Sequence, residues 1–314
     1  MKVSIIICTH NRSASLKEML DSLARVDVPA DLPVELLVVD NASTDDTRQI
    51  TEAFMPNGAM SVRYCFEPRK GKSKALNTGL NLGGGDIFLF TDDDVRFPAN
   101  WIEEMCRPVV EGKADVVQGG VRWAPHLLKA GGPSSYLPSI ITSTAHKSQE
   151  EISTGLIGAN MGFARRVYES IGAFDEELGP GALGLGEETL YGWQSISAGF
   201  RKLNVLHVEV EHHFDSARLS RSGLLELADR KGRSAAYIDF HWKHSEEKWV
   251  RCRILALVFK DLIRTICTPA AWPWRASLPE WKYSYKASTS RLQQMLQEMK
   301  RNRKYSFKGL RKLQ

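Results

Sequence analysis

Three consecutive carboxylates, Asp92, Asp93 and Asp94, follow directly on an apolar run, Ile87-Phe88-Leu89-Phe90-Thr91, that reads as a buried strand. Like charges at the end of a buried strand are costly unless a cation or hydrogen-bond donors face them. Hard divalent cations take oxygen ligands, and Mg²⁺ is commonly held by one or two carboxylates together with substrate phosphates. The residue types therefore predict a site for a metal and a diphosphate. The plainer alternative is a solvated acidic turn that caps the following helix.

Such a site has to be positioned by the elements around it. Short apolar, β-branched runs alternate with polar helical segments through the first half of the chain. Strands are expected over Val3 to Cys8, Val34 to Val39, Val62 to Phe66 and Ile87 to Thr91, with helices between them, including Lys72 to Leu82. Ser15-Leu16-Lys17-Glu18 has the spacing of a capping box at or near the start of the first helix. Strands alternating with helices predict a parallel, doubly wound α/β sheet, which binds ligands at the carboxyl ends of its strands. Those ends carry Thr9-His10-Asn11-Arg12, then Asp40-Asn41-Ala42-Ser43, then Glu67-Pro68-Arg69-Lys70-Gly71-Lys72, then the three aspartates. Four polar loops of complementary charge on one edge predict a pocket for an anionic ligand.

The second half is less regular. A strand is expected over Ile157 to Phe163 before a helix from Arg165 to Ile171. A glycine-rich loop over 179–186, expected to be mobile, leads into a helix beginning at Glu187-Glu188. Val205 to Val210 reads as a strand ending at His212-His213, and the chain is helical after Ser220 apart from a break at Pro269 to Pro273. The 314 residues, 43% of them hydrophobic, can form a full core. Five cysteines show no pairing or metal-ligand spacing, so reduced thiols and a cytoplasmic location are expected. No segment has the length and apolar character of a membrane span or a secretory signal.

Six spaced segments together resemble family 2 of the glycosyltransferases: Val3 to Arg12, Val38 to Asp45, Gly71 to Asn77, Thr91 to Asp94, Gly158 to Met161, and Gly186-Glu187-Glu188. The resemblance implies an α/β domain of the GT-A fold, Rossmann-like and binding a nucleotide-diphospho-sugar. It implies inverting transfer of the sugar, a UDP-sugar foremost, to a hydroxyl of a glycan or lipid-linked acceptor in cell-surface polysaccharide synthesis. Asp40 would bond the base, with Thr9, His10, Asn11 and Arg12 lining its pocket beside Asn41. Asp92 would face ribose and metal with Asp93 beside it, and Asp94 would bind Mn²⁺ or Mg²⁺ directly. Arg69, Lys72 and Lys74 could assist at the phosphates, although a solvated basic helix start explains them equally. Asn160 would lie near donor or acceptor sugar.

The family takes the acceptor's proton with the Asp of a Glu-Asp pair that follows a glycine. This chain has Glu187-Glu188 there, so Glu188 holds the base position, with Glu187 as the other candidate. A longer side chain displaces the carboxylate by about an ångström, which can cost about a hundredfold in rate. The alternative is a pair that only favours a helix N-terminus. His212 resembles a further metal ligand of GT-A enzymes, with His213 adjacent and a surface role open for both.

Residues 1–218 are expected to form the GT-A domain and 219–314 a basic helical extension. Between Lys282 and Gln314 ten Lys and Arg stand against one acid, Glu298. The mixed apolar and basic run from Arg251 to Ile266, with Trp272, Trp274 and Trp281, suggests peripheral contact with an anionic inner membrane face. A helix whose apolar side packs on the catalytic domain is the alternative. A nucleotide-sugar binder without catalysis is a rival reading. No nucleic-acid partner is expected, since a tail-driven nucleic-acid binder would leave the six segments unexplained.

Overall fold

The computed structural model describes all residues except 59, 131–142, 145–153, 246, 269–271, 273–277 and 314. The chain divides into two units. The first comprises Met1–Glu176 and Glu187–Phe214, the second Glu177–Gly186 and Asp215–Gln314. The division falls four residues before the expected one, and the glycine-rich loop belongs with the helical unit.

In the first unit β1 (Val3–Thr9), α1 (Ser13–Leu23), β2 (Val34–Asp40), α2 (Thr47–Ala53), β3 (Ser61–Phe66), α3 (Lys72–Leu82) and β4 (Ile87–Asp92) follow the expected alternation. β1, β2 and β4 are near-continuous apolar runs because both faces of the sheet are covered there, and their residues are almost all buried. Then come β5 (Val95–Arg96), α4 (Trp101–Val110), β6 (Val116–Trp123), α5 (Pro125–Ala130), β7 (Asn160–Ala164), α6 (Arg165–Ile171), α7 (Glu187–Ser197) and β8 (Lys202–His212). All eight strands form one sheet in the order β3-β2-β1-β4-β7-β6-β8-β5.

The sheet is mixed, where a parallel one was expected. β3, β2, β1 and β4 are parallel, but β7 runs antiparallel to both β4 and β6. The first residue of β7, Asn160, therefore pairs with Thr91 at the carboxyl edge of β4. β6 was hidden in the sequence by Gly119-Gly120, which reads as a turn. In the structure these glycines form a bulge where the pairing with β8 slips from Gly119 opposite Val205 to Gly120 opposite Glu209. α4 was hidden by Pro108, which the helix accommodates near its end while Trp101, Ile102, Met105, Cys106 and Val109 are buried at helical spacing.

The capping box does not operate. α1 starts at Ser13, whose N–H is bonded by the Asp45 carboxylate at 2.8 Å. Ser15 instead donates its hydroxyl to the Asp93 carbonyl at 3.0 Å, and Glu18 pairs with Arg96. Tertiary partners on the β4–β5 turn outcompete the local cap.

The second unit contains a 3₁₀ turn (Ser216–Leu219), α8 (Arg221–His241), α9 (Val250–Cys267) and α10 (Glu280–Glu298). α8 and α10 pack closely because Gly232 has no side chain. A Cβ there would meet the Ala287 carbonyl at 2.2 Å. Ala236, Phe240 and Met295 form an apolar cluster, and His241 Nε2 lies 3.0 Å from Glu298 Oε2 with both side chains fully buried. The basic tail proves to be largely internal chemistry. Lys282 pairs with Asp261, Lys286 with Asp229, Arg291 with Asp239 and Glu247, and Arg301, Lys304 and Lys312 with Glu177. The charge asymmetry is thus not a free cationic surface. The glycine-rich loop is closed by its own backbone, Gly184 N–H to Gly179 carbonyl at 2.9 Å and Leu183 N–H to Glu177 carbonyl at 3.1 Å. Among the described residues no helix is long and apolar enough to cross a membrane. Pro269, Pro273 and Trp274 of the expected break lie outside the described residues.

Candidate active site

The carboxyl edge of the parallel strands brings together most of the residues singled out by the sequence. Asp92 ends β4, Asp94 follows it in the turn to β5, and His212 ends β8, which pairs with β5 through Val95 opposite His212. One donor atom from each of Asp92, Asp94 and His212 lies within 4.8 Å of the others. His212 is buried and points its Nε2 at Asp94 Oδ1, 3.2 Å away, a charge contact without hydrogen-bond alignment. His213 turns elsewhere, toward Glu211 at 3.2 Å, so the neighbouring histidines are distinguished by the strand's alternation.

Two cationic side chains face the three aspartates. Lys72, the first residue of α3, donates to Asp92 Oδ1 at 2.6 Å. Arg12 bridges Asp93 at 2.9 Å and Asp94 at 2.8 Å. Burial alone would raise Asp94, but His212 and Arg12 beside it hold that carboxyl far below the ordinary range. Burial, opposed by Arg12 and reinforced by the like charge of Asp94, pushes Asp93 up to about 7. Lys72 loses by burial and gains more from Asp92, Glu187 and Glu188, which hold its ammonium above the usual lysine range.

Glu187 and Glu188 open α7. Glu187 is buried, and its burial and the neighbouring Glu188 charge raise its carboxyl well above 4.5 despite Lys72. Oε2 of each is buried with no hydrogen-bond partner among the described residues, as are Asp94 Oδ1 and His212 Nδ1. Orphaned buried acceptors of this kind call for a ligand. Two carboxylates and an imidazole whose donor atoms all lie within 4.8 Å of one another are a set that divalent cations take, so the residues fit a divalent cation.

Several expected ligand contacts are committed to the protein itself. Thr9 gives its hydroxyl to Asp93 at 2.7 Å, and both side chains are buried, so this pair braces the loop instead of lining a pocket. Asn41 donates to the Glu67 and Arg69 carbonyls and accepts from the Gly71 N–H, which joins the ends of β2 and β3 to the start of α3. Arg69 is half-exposed but paired with Glu67 at 2.8 Å. Asn160 is fully buried and receives the Trp101 indole N–H at 2.9 Å while donating to the Gly120 and Val208 carbonyls, both at 2.8 Å. Its side chain has no exposed surface. Gly119 makes the room, since a Cβ there would stand 2.1 Å from Asn160 Nδ2.

Asp40 at the end of β2 accepts the Ser43 N–H at 2.8 Å and the Tyr64 hydroxyl at 2.7 Å. His10 and Asn11 are exposed above it, Asn11 with φ 51° and its side chain accepting from the Thr44 N–H at 2.7 Å. Lys74 is half-buried and makes no ion pair among the described residues.

With this geometry in view, comparison with known proteins is informative. The sequence model described as glycosyl transferase family 2 matches residues 4–172. The chain belongs to glycosyltransferase family 2. Among curated family relatives, the succinoglycan biosynthesis protein ExoM of Rhizobium meliloti is 29% identical over 143 residues, 44% of this chain and 46% of ExoM. The poly(ribitol-phosphate) beta-N-acetylglucosaminyltransferase TarS of Staphylococcus aureus is 32% identical over 117 residues, 37% of this chain and 20% of TarS. In both cases the match spans less than half of the relative's length. Among solved structures, the mannosyltransferase PcManGT of Pyrobaculum calidifontis, in complex with GDP-Man and Mn²⁺, has a TM-score of 0.60 at 17% identity, covering 94% of this chain and 86% of that one. S. aureus TarS 1–349 in complex with UDP-GlcNAc has a TM-score of 0.52 at 16% identity, covering 98% and 93%. At these identities the likeness is one of fold, and the fold is GT-A.

The sequence assigned no role to Tyr64 and placed Glu67 only in the polar loop that ends the third strand. The phenol of Tyr64, pushed up to about 12 by partial burial and by Asp40, holds that carboxylate in place. Glu67 grips Arg69 and accepts the Thr78 hydroxyl at 2.5 Å. Only the register of β3 on β2, which sets Tyr64 opposite Val38, reveals the first contact.

Proposed function

We propose that this family 2 chain transfers a glycosyl group, with inversion, from a nucleotide-diphospho-sugar to a hydroxyl of a glycan or lipid-linked acceptor. The observation that carries the reading is the convergence at one sheet edge of the Asp92, Asp94 and His212 donors with the orphaned Glu187-Glu188 carboxyls, Lys72 contacting Asp92 and facing both glutamates. When bound there, Mg²⁺ or Mn²⁺ supplies positive charge against the diphosphate that leaves. Asp40, beside the exposed His10 and Asn11, is the candidate partner of the nucleotide base. Lys72 and Lys74 add cationic charge for the phosphates.

Glu187 is buried and its carboxyl is raised by that burial and by its neighbour, so Glu188, the less buried of the two, is the group an acceptor can reach. Glu188 takes the proton of the acceptor hydroxyl as its oxygen bonds to the anomeric carbon, and the bond from that carbon to the diphosphate oxygen breaks. The nucleoside diphosphate leaves with the electron pair. PcManGT with GDP-Man and TarS with UDP-GlcNAc support a nucleotide-sugar donor, and a UDP-sugar is favoured in a cell-surface polysaccharide role.

The test is a donor binding and hydrolysis screen across UDP-, GDP- and dTDP-sugars with Mn²⁺ or Mg²⁺, on the wild type, Asp94→Asn and Glu188→Gln. Hydrolysis of one donor that is lost in both variants, with Glu188→Gln still binding, is expected. Binding without turnover in the wild type would make the chain a nucleotide-sugar binder, and no metal-dependent binding at all would remove the donor site.

A further inference from the structure

In the second unit, α9 shows an inverted pattern. Leu255, Val258, Phe259, Leu262, Ile263 and Ile266 recur at helical spacing, the mark of a single apolar stripe. The stripe faces solvent, with Leu255 70%, Phe259 66%, Leu262 56% and Ile266 66% exposed. The side that packs is a different one. Ile254, Leu257, Asp261 and Thr265 are half-buried, and Lys282 of α10 reaches both Asp261 and Thr265 at 2.9 Å.

The charges on α9 are equally one-sided. Its only acid, Asp261, lies on the packed side and is neutralised by Lys282. Every charge on the solvent side is a cation: Arg251, Arg253, Lys260 and Arg264. Of these Arg253 is paired with Glu247. At about 100° per residue, Arg251 falls in line with the stripe and Lys260 lies beyond its Ile263 edge, whereas Arg264 is on the far side of the helix. Lys260 and Arg264 line a cleft of about 540 Å³ between α9 and α10, together with Asp261, Glu280, Trp281, Ser284 and Tyr285. Arg264 stands 4.6 Å over the Trp281 ring.

We propose that α9 is an in-plane anchor that seats its apolar stripe in the headgroup–acyl boundary of an anionic membrane, with Arg251 and Lys260 at the lipid phosphates. Charge complementarity selects this occupant. An apolar face bordered only by cations suits anionic lipid, whereas a two-fold contact with a second copy would bring the same cations together. A helix too polar to cross the bilayer lies along it. The anchor rests on α9 itself, since six of the ten cations beyond residue 281 are already paired with acids of their own unit.

The experiment is flotation of the full chain with vesicles of phosphatidylcholine and phosphatidylglycerol in equal parts, against pure phosphatidylcholine, at low and high salt. The wild type is expected to float with the anionic vesicles and to be released in part by salt. Phe259→Asp/Leu262→Asp is expected to lower the partition about tenfold or more with an unchanged thermal melt, because both side chains are exposed. Arg251→Glu/Lys260→Glu is expected to weaken binding and flatten its salt dependence. A wild type that stays in the soluble fraction, or a Phe259→Asp/Leu262→Asp variant that floats as well as the wild type, overturns the proposal. A dimer in sedimentation velocity that this variant dissociates, without flotation of the wild type, assigns the stripe to a second copy and also overturns it. None of these readouts needs catalysis, so they stand apart from the transfer reading.

Discussion

Asn160→Ala separates a sugar contact from a structural brace. The Asn160 side chain makes three buried hydrogen bonds, from the Trp101 indole and to the Gly120 and Val208 carbonyls, at 2.8 to 2.9 Å. The two carbonyls flank the β6–β8 bulge, where the regular ladder is interrupted. Truncation leaves all three partners buried, and an unsatisfied buried polar group costs about 1 to 3 kcal/mol. The expected loss is about 3 to 6 kcal/mol, a large part of the ~5 to 15 kcal/mol that holds a typical domain. Urea unfolding followed by tryptophan fluorescence reads it directly. Gly119 supplies the control, since a methyl there would sit 2.1 Å from Asn160 Nδ2. Gly119→Ala alone is strongly destabilising, and in the Asn160→Ala background it fits the vacated space. If lost hydrogen bonds dominate, the double variant stays about as unstable as Asn160→Ala; if an empty cavity dominates, it recovers. An unfolding midpoint within error of the wild type, with a raised KM for donor, would refute the brace and return Asn160 to the sugar.

Lys72→Met removes the cation bonded to Asp92 and is expected to weaken nucleotide-diphosphate binding about tenfold or more, read by calorimetric titration with Mn²⁺ present; unchanged affinity would confine Lys72 to the apo site. Glu187 has its folded carboxyl raised above the unfolded value, so the native state keeps the proton longer. Its cost to stability is absent below about pH 4 and grows as pH rises through the folded value. Glu187→Gln should therefore gain stability at pH 8 relative to pH 4 in denaturant titrations, and an equal change at both would be the wrong sign for this burial. Glu67 is the opposite case, held down to about 2 by Arg69 and Thr78 against burial. Its contribution is present above about pH 4.5 and fades toward pH 2. Because Arg69 is exposed and the pair is screened by solvent, Glu67→Gln should cost a little stability at pH 7, and nothing near pH 2. Glu177→Ala frees Arg301, Lys304 and Lys312 together. Limited proteolysis within residues 179–186 should quicken, and an unaltered cleavage rate would mean that this cluster does not hold the loop.

The amino-acid sequence by itself determined the alternation of β1 to β4 with their helices, and the placing of four polar loops on one edge. That information is local: apolar runs of strand length, polar runs of helix length and turn residues between them. It likewise placed the Asp triplet, the Glu187-Glu188 pair and the two histidines at element ends. Only the tertiary structure decided which of these residues face one another. β7 runs antiparallel because partners far apart in sequence pair at Thr91 and Asn160, and no periodicity carries a direction. Gly119-Gly120 reads as a turn until β8 lies beside it. Thr9, Asn41, Asp93 and Asn160 have polar groups of the kind a ligand site uses. The fold assigns them to bracing because their partners, Arg12, the Gly71 N–H and the Trp101 indole, arrive from other elements and bury them. The same holds for the basic tail and for α9. Composition set the cations and the apolar stripe, but which cations meet acids, and which side of the helix stays in solvent, depended on where α8 and α10 came to rest.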